Sequence, residues 1–529
     1  MRIFEPGIAK NYLKRFWPFW ALYLLIQLLT LPIVINSGQF HRYPEEQTLL
    51  FGDGMYFLGA GAGPVIAMAM LHYLYTAKSA NWMASLPVRR ETMYLTLYLT
   101  GLVPMLASNL LVSCILALAL GPDFGFAARW LLQCSLGSFS FYSLAFFCGQ
   151  LTGSLWGLPV IYLIFNFGAW ALEYGVSSIL RKILLGYTYS GKLNCLSPIV
   201  YLGQEGFRVH DHMVYAWLFA GACLALLVGG FFIYRARRME AASDLIAQKP
   251  LRPVAKYFMT LISAVLFAAL LDALIYSYDS GARPVSIALF ALIGAAVGYF
   301  GTEMLMKRTV KVFAGSWKGF AAAAGVIVLA LALAFLDPMG YSSFVPEPED
   351  VASVRIPSYN ILLEEPENIR QVTELHKEVL ADNPDKVRGD YCSIEYTMKD
   401  GRTVVRAYNL NRYGEVYNNK LRSISSQPEN LLRVLNSARQ SRDSNLDIRI
   451  SVGFEEIHLT GFGARDFLEN ALTPDAQEGR LTLNDYSAKD SYIFISSRTG
   501  EEGYFSNVQL FYSESSVRTV SWLREHKYM

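Results

Sequence analysis

The first 338 residues form long apolar runs broken by short charged segments, whereas the remainder alternates apolar and polar positions in short runs. About 20 apolar residues, rising about 1.5 Å each, cover a hydrocarbon core about 30 Å thick. That ruler predicts spans near 17–36, 56–76, 93–120, 130–151, 155–177, 213–234, 258–277, 285–305 and 319–336. Tyr and Trp gather near many of their ends, as interface anchors do. Ahead of the first span, Ile8, Tyr12, Leu13 and Phe16 recur at helical spacing among Lys10, Lys14 and Arg15. This predicts a helix lying in the membrane interface before the chain turns inward at Trp17-Pro18.

After the last span, DPMGYSSFVPEPED (337–350) has the Pro, Gly and acidic content of a linker. VASVRIPS then reads as a strand, and Pro366–Ala381 as an amphipathic helix with Ile369, Val372, Leu375 and Val379 on one side. In YCSIEYTMKDGRTVVRAYNL two alternating runs flank Asp400-Gly401, a strong hairpin signal. Leu431–Ala438 and Ala464–Leu472 read as helices, and DIRISV, EEIHLT, SYIFISS and GYFSNVQLFYS as strands. Ser515–His526 reads as a closing helix. The expected fold class is a membrane all-α helical bundle of about nine transmembrane helices followed by an α+β extracytoplasmic domain.

Composition sharpens this picture. Hydrophobic residues make up 53% of the chain and charged ones 17%, but the charge is unevenly divided. Residues 1–338 carry 24 Lys and Arg against 15 Asp and Glu, a net of +9; residues 339–529 carry 22 against 29, a net of −7. The positive-inside rule assigns Arg2, Lys10, Lys14 and Arg15 to the cytoplasm. It does the same for Lys78, Arg89 and Arg90, for the basic loop 234–257, and for Lys307, Arg308, Lys311 and Lys318. Nine spans then put the acidic C-terminal half outside the cell. Loop 178–212 departs from the rule, with Arg181, Lys182, Lys192 and Arg208 on the outer side; its ILRKILLGY piece reads as a short re-entrant or interfacial helix. MRIFEPGIAKNYLKRF is too polar for a cleavable signal peptide and lacks a small-residue cleavage site, so the first span is expected to direct insertion.

Several chemistries lack their motifs. No G-x-x-x-x-G-K-[ST], G-x-S-x-G or H-E-x-x-H occurs, so no cofactor is expected and any ATP is bound by another polypeptide. Intramembrane charges are few and form no mid-depth cluster suited to a proton relay. Glu173 and Asp272, near predicted outer helix ends, are the candidates for substrate-path or gating groups, while Glu303 predicts an i,i+4 pair with Lys307. Gly59-x-x-x-Gly63 and Gly294-x-x-x-Gly298 predict close helix packing. No metal is expected: His210-Asp211-His212 has no further ligand nearby. Cys114, Cys134, Cys148 and Cys223 read as buried hydrophobes, and Cys392 is alone in the C-terminal half. His376, His458 and His526 are widely separated and read as core or surface residues. Arg402, Arg406 and Arg412 around the hairpin are candidates for holding an anionic ligand such as a cell-wall precursor or lipid phosphate.

One segment stands out. AKSANWMASLPVRRETMYLT (77–96) is short and basic, lies between two spans, breaks at Pro87, and re-enters the membrane through Arg90-Glu91-Thr92. An N-terminal helix, two spans, SLPVRRETMYLTLYL, and four more spans with Leu196-Ser197-Pro198 ahead of the sixth make up residues 1–240. That block resembles the transmembrane subunit of ABC-2-type exporters. The resemblance implies that Ser85, Leu86, Pro87, Val88, Arg89, Arg90 and Glu91 belong to a coupling helix that docks on a separate nucleotide-binding ATPase subunit. Residues 241–338, with three added spans, and the soluble domain 339–529 look like an extension found in permeases of Gram-positive bacteria, especially Firmicutes. The implied protein is a permease and not itself an enzyme. It pairs with a second transmembrane subunit, identical or homologous, within the lipid bilayer of the cell membrane, and no nucleic acid is involved. The alternative reading is an envelope-stress receptor whose outer domain senses an antimicrobial peptide or cell-wall intermediate and signals inward with little transport.

Overall fold

The computed structural model describes residues 4–36, 44–120, 125–204, 209–237, 244–276, 283–357, 359, 361–381, 390–410, 414–440, 446–452, 455–483, 492–499 and 504–528. Among them, nine helices are long and apolar enough to cross a membrane, so this is a multi-pass membrane protein. They are α1 (Pro6–Ile35), α2 (Pro44–Leu71), α4 (Arg90–Leu120), α5 (Gly125–Leu151), α6 (Gly157–Ile183), α8 (Met213–Ala236), α9 (Leu251–Ile275), α10 (Pro284–Lys307) and α11 (Phe313–Leu336). Two short helices interrupt the series, α3 (Ala77–Ala84) and α7 (Pro198–Gln204).

Three expectations need correction. The interfacial helix and first span are one continuous helix, since α1 runs straight through Pro18. A proline there deletes a single backbone hydrogen bond without ending the helix. Second, α2 begins at Pro44 and not near the expected residue 56, so Glu45, Glu46 and Asp53 lie within it. Third, the piece read as a re-entrant helix is the last turns of α6, which runs on to Ile183.

The chain divides into two compact units. The first comprises Met1–Val176, Ser190–Leu271 and Ala288–Val328. Its centre is α5, buried along most of its length. Glycines let α2 approach it closely: a Cβ on Gly59 would lie 3.0 Å from the Gly137 carbonyl carbon, and one on Gly63 3.0 Å from that of Phe141. The second motif acts alike, since a Cβ on Gly294 of α10 would sit 2.5 Å from the Ser263 carbonyl oxygen of α9. Buried polar groups then fix which faces meet. The Tyr23 hydroxyl lies 2.8 Å from Asn109 Oδ1 and 2.9 Å from Ser138 Oγ, joining α1, α4 and α5.

The second unit comprises Ser177–Tyr189, Asp272–Ile287 and Leu329–Met529. Its first antiparallel sheet has the order β2-β1-β3-β4, built from β1 (Val351–Ile356), β2 (Ile361–Leu363), β3 (Asp390–Met398) and β4 (Thr403–Leu410). Its second has the order β6-β5-β8-β9-β7, from β5 (Leu446–Val452), β6 (Glu455–Thr460), β7 (Thr482–Leu483), β8 (Tyr492–Thr499) and β9 (Tyr504–Phe511). Apart from the added β7, the two follow one plan: a hairpin, helical chain, a second hairpin, and the first strands of the two hairpins paired at the centre. The helical parts are α12 (Pro366–Ala381) in the first and α15 (Gly461–Phe467), a π-helical turn and α16 (Thr473–Gln477) in the second. Between the sheets in sequence come α13 (Gly414–Ser425) and α14 (Pro428–Gln440), and α17 (Val517–Glu525) closes the chain. One apolar core, including Val354, Val372, Leu435, Ile450, Phe467 and Leu510, runs through both halves. At the β3–β4 turn Gly401 has φ +84°, the backbone that the Asp-Gly signal foretold.

Candidate functional site

The 77–92 segment is assembled from local chemistry. A 3₁₀ turn, His72–Tyr75, follows α2, and Thr76 then takes extended backbone that separates it from α3. Ser79 Oγ donates to the carbonyls of Tyr73 at 3.0 Å and Thr76 at 3.1 Å, and Ser85 Oγ donates to that of Trp82 at 2.7 Å. Pro87 cannot continue α3. Instead the Val88 N–H reaches the Leu86 carbonyl at 2.7 Å, a three-residue turn suited to the fixed φ of proline. The Arg89 carbonyl accepts from the Met93 N–H at 3.0 Å, opening the first turn of α4.

This leaves a two-faced element. Ala80 and Met83 are buried, with Leu86 and Val88 half-buried beside them against the Tyr73 and Tyr94 cluster. Lys78, Asn81, Trp82, Ser85, Pro87 and Arg89 are exposed, and Trp82 keeps 61% of its surface free. Exposed aromatic area beside cations is what a binding face offers.

Arg90 does not serve that face. Its Nη1 donates to the carbonyls of Arg235 and Arg237, each at 2.9 Å, where α8 ends. Glu91 lies 3.7 Å from Arg235 Nε. Last-turn carbonyls lack helical donors and carry the negative end of the helix dipole, so a guanidinium satisfies both needs. Arg237 repeats the device at greater depth. It is 2% exposed and donates from Nη1 to Gln150 at 3.1 Å and Gly149 at 3.4 Å, and from Nη2 to Leu74 at 3.4 Å. The Tyr73 and Tyr234 hydroxyls meet at 2.7 Å. The ends of α5, α8 and the 72–75 turn are therefore pinned around the root of the segment. Charge counting registered Arg90 and Arg237 as loop cations and missed this role.

The other predicted site residues are engaged elsewhere. Glu173 caps the turn after α6, accepting from Ser190 Oγ at 3.0 Å, Lys192 N at 2.9 Å and Leu193 N at 2.7 Å. Asp272 is 5% exposed and ion-paired with Lys182. Glu303 holds Lys307 at 2.7 Å as expected, and also Lys256 at 3.2 Å and Ser316 Oγ at 2.8 Å. A buried carboxylate was overlooked: Asp53 of α2 hydrogen-bonds to Gln133 of α5. Pro44, a favoured first helical residue, was the available signal that α2 starts early enough to carry it inward.

In the second unit the two described hairpin arginines, Arg402 and Arg406, are engaged separately. Arg402 pairs with Asp400 at 2.6 Å, Arg406 is buried with its guanidinium 3.7 Å above the Tyr341 ring, and Arg412 lies outside the described residues. His376 is a core residue, bridging the Tyr396 hydroxyl at 3.0 Å and the Tyr408 hydroxyl at 2.6 Å. Burial, with help from the Arg406 charge, lowers its pKa to about 4. The side chains of His210 and Asp211 lie outside the described set; within it no three His, Cys, Asp or Glu residues gather as metal ligands. The segment after α6 is tied in as well: the Gly186 carbonyl accepts from Ala407 N–H at 3.3 Å along β4.

Compared with known proteins, the chain matches no family model, no curated protein and no solved structure.

Proposed function

We propose that this chain is the membrane-spanning subunit of an ATP-driven ABC-2-type exporter. α3 and Ser85–Glu91 form the contact through which a separate nucleotide-binding ATPase drives it. A second transmembrane subunit completes the path, and the C-terminal unit lies outside the cell. The observation that carries this reading is the division of labour within 77–92. One face, through Met83, Leu86 and Arg90, is fastened to the ends of several helices, while the other displays Lys78, Ser85, Pro87 and Arg89. A load placed on the exposed face has a short, packed route into the bundle. A cytoplasmic position for that face is supported by the distribution of Lys and Arg along the chain.

The test reverses the exposed charges and leaves Arg90 untouched. Lys78→Glu combined with Arg89→Glu in the full-length chain abolishes stimulation of the partner ATPase and export, while the purified variant unfolds at the parent temperature. Parent-level export by that variant refutes the coupling role. Deleting residues 345–529 separates the alternative: an exporter keeps part of its transport, whereas a receptor loses its signal.

A further inference from the structure

Between the start of α1 and the 72–86 segment lies a recess of about 240 Å³. Ile8, Tyr12, Phe16, Tyr73, Met83 and Leu86 give it apolar walls, and Asn11, Thr76 and Ser79 add hydrogen-bonding groups. Its charged lining is Arg15, and no carboxylate lines it. Arg15 is exposed, and among the described residues its guanidinium has no carboxylate partner; it lies 5.2 Å from the Phe16 ring centroid. Lys10 and Lys14 are exposed on the same two turns. Trp82, at 61% exposure, stands at the recess, and Trp17, at 62%, directly follows Phe16 in α1.

We infer that this recess binds the headgroup of an anionic phospholipid, with Arg15 as the phosphate ligand. Three observations converge on that occupant. The site lies at the start of α1, where exposed Lys10, Lys14 and Arg15 give way to the apolar run, and exposed tryptophans stand beside it as they do at membrane interfaces. The lining pairs the Arg15 guanidinium, which has no carboxylate partner among the described residues, with the Asn11 amide, suited to a phosphodiester and its glycerol. Its volume accommodates a headgroup and leaves the acyl chains to the bilayer. The recess shares Met83, Leu86 and Trp82 with the proposed coupling segment, so a bound lipid braces that segment against α1. The inference rests on the proposed function only for this consequence; the binding itself does not need it.

The experiment uses the purified, delipidated full-length chain in neutral detergent, without any ATPase. Phosphatidylglycerol, phosphatidylcholine and inorganic phosphate are titrated while tryptophan fluorescence is recorded, and a Trp82→Phe variant isolates the Trp82 contribution. The expected result is a saturable Trp82 signal with phosphatidylglycerol, weakened at least tenfold by Arg15→Gln and largely restored by Arg15→Lys. Phosphatidylcholine and inorganic phosphate give no comparable signal. Equal affinity for the two lipids, indifference to Arg15→Gln, or saturation by inorganic phosphate alone overturns the inference. An unchanged unfolding temperature for Arg15→Gln excludes misfolding as the cause of a loss. Lipid binding that persists when Lys78→Glu with Arg89→Glu leaves export intact refutes the proposed function alone; the converse refutes this inference alone.

Discussion

Replacing Arg237 with Met tests how the root of the 77–92 segment is held. The parent side chain is 2% exposed and closes on three carbonyls, one at 3.1 Å and two at 3.4 Å. A well-formed hydrogen bond from a charged donor contributes about 1.5–3 kcal/mol, and long ones contribute less. Removing the cation also removes the cost of keeping it from water, which offsets part of the loss. The net is a destabilisation of about 3 kcal/mol, or roughly a 5–10 °C fall in unfolding temperature for a unit of this size. The cysteines supply the assay. Cys114 and Cys195 are exposed and are blocked first, and Cys134 and Cys392 are replaced by serine in parent and variant alike; Cys148 and Cys223 are buried and react with a fluorogenic maleimide only as the helices part. Cys148 adjoins Gly149, whose carbonyl Arg237 holds, so its reaction reports the affected place. A midpoint within about 1 °C of the parent would show that Arg237 is a surface cation in practice and refute the pinning argument.

Three further outcomes follow from the same structure. Arg90→Ala, which loses two 2.9 Å bonds from a partly exposed group, lowers stability by about 1 kcal/mol in the same assay, and no change there would separate Arg90 from the end of α8. Gly294→Val forces a side chain against the Ser263 carbonyl and costs about 1–3 kcal/mol; an unchanged midpoint would show that α9 and α10 are free to part. His376, with a folded pKa near 4 against about 6.5 unfolded, gives the C-terminal unit stability that is complete above pH 6.5 and lost as pH falls through 4, about 3 kcal/mol in all. Urea titration at several pH values, read by the reaction of buried Cys392 with an acid-active disulfide reagent in a Cys392-only chain, should show that slope and lose it in His376→Gln; an equal slope in both contradicts the assignment.

Where local signals were strong, the sequence was enough. The apolar runs located all nine long helices, and Pro366 and the Asp400-Gly401 turn marked α12 and the β3–β4 hairpin almost to the residue. Polar helix ends were harder. Glu45 and Glu46 disguised the start of α2 and so hid the buried Asp53. The shared plan of the two sheets was invisible because pairing order depends on contacts far apart in sequence. The candidate segment was legible as a basic, proline-broken link, but its division of labour was not. Counting charge treats Arg89 and Arg90 alike; both are exposed, but Arg90 turns its donors onto the end of another helix.

The coupling claim is tested most directly by a photoreactive amino acid at Ser85, an exposed position just beyond α3, in the full-length chain in its own cells. The same probe at Phe462, 81% exposed in the C-terminal unit, serves as the control. The account predicts that Ser85, and not Phe462, crosslinks to a polypeptide carrying a G-x-x-x-x-G-K-[ST] phosphate-binding loop. Crosslinks from Ser85 confined to lipid or to the chain itself, or the same ATPase captured from Phe462, would contradict it.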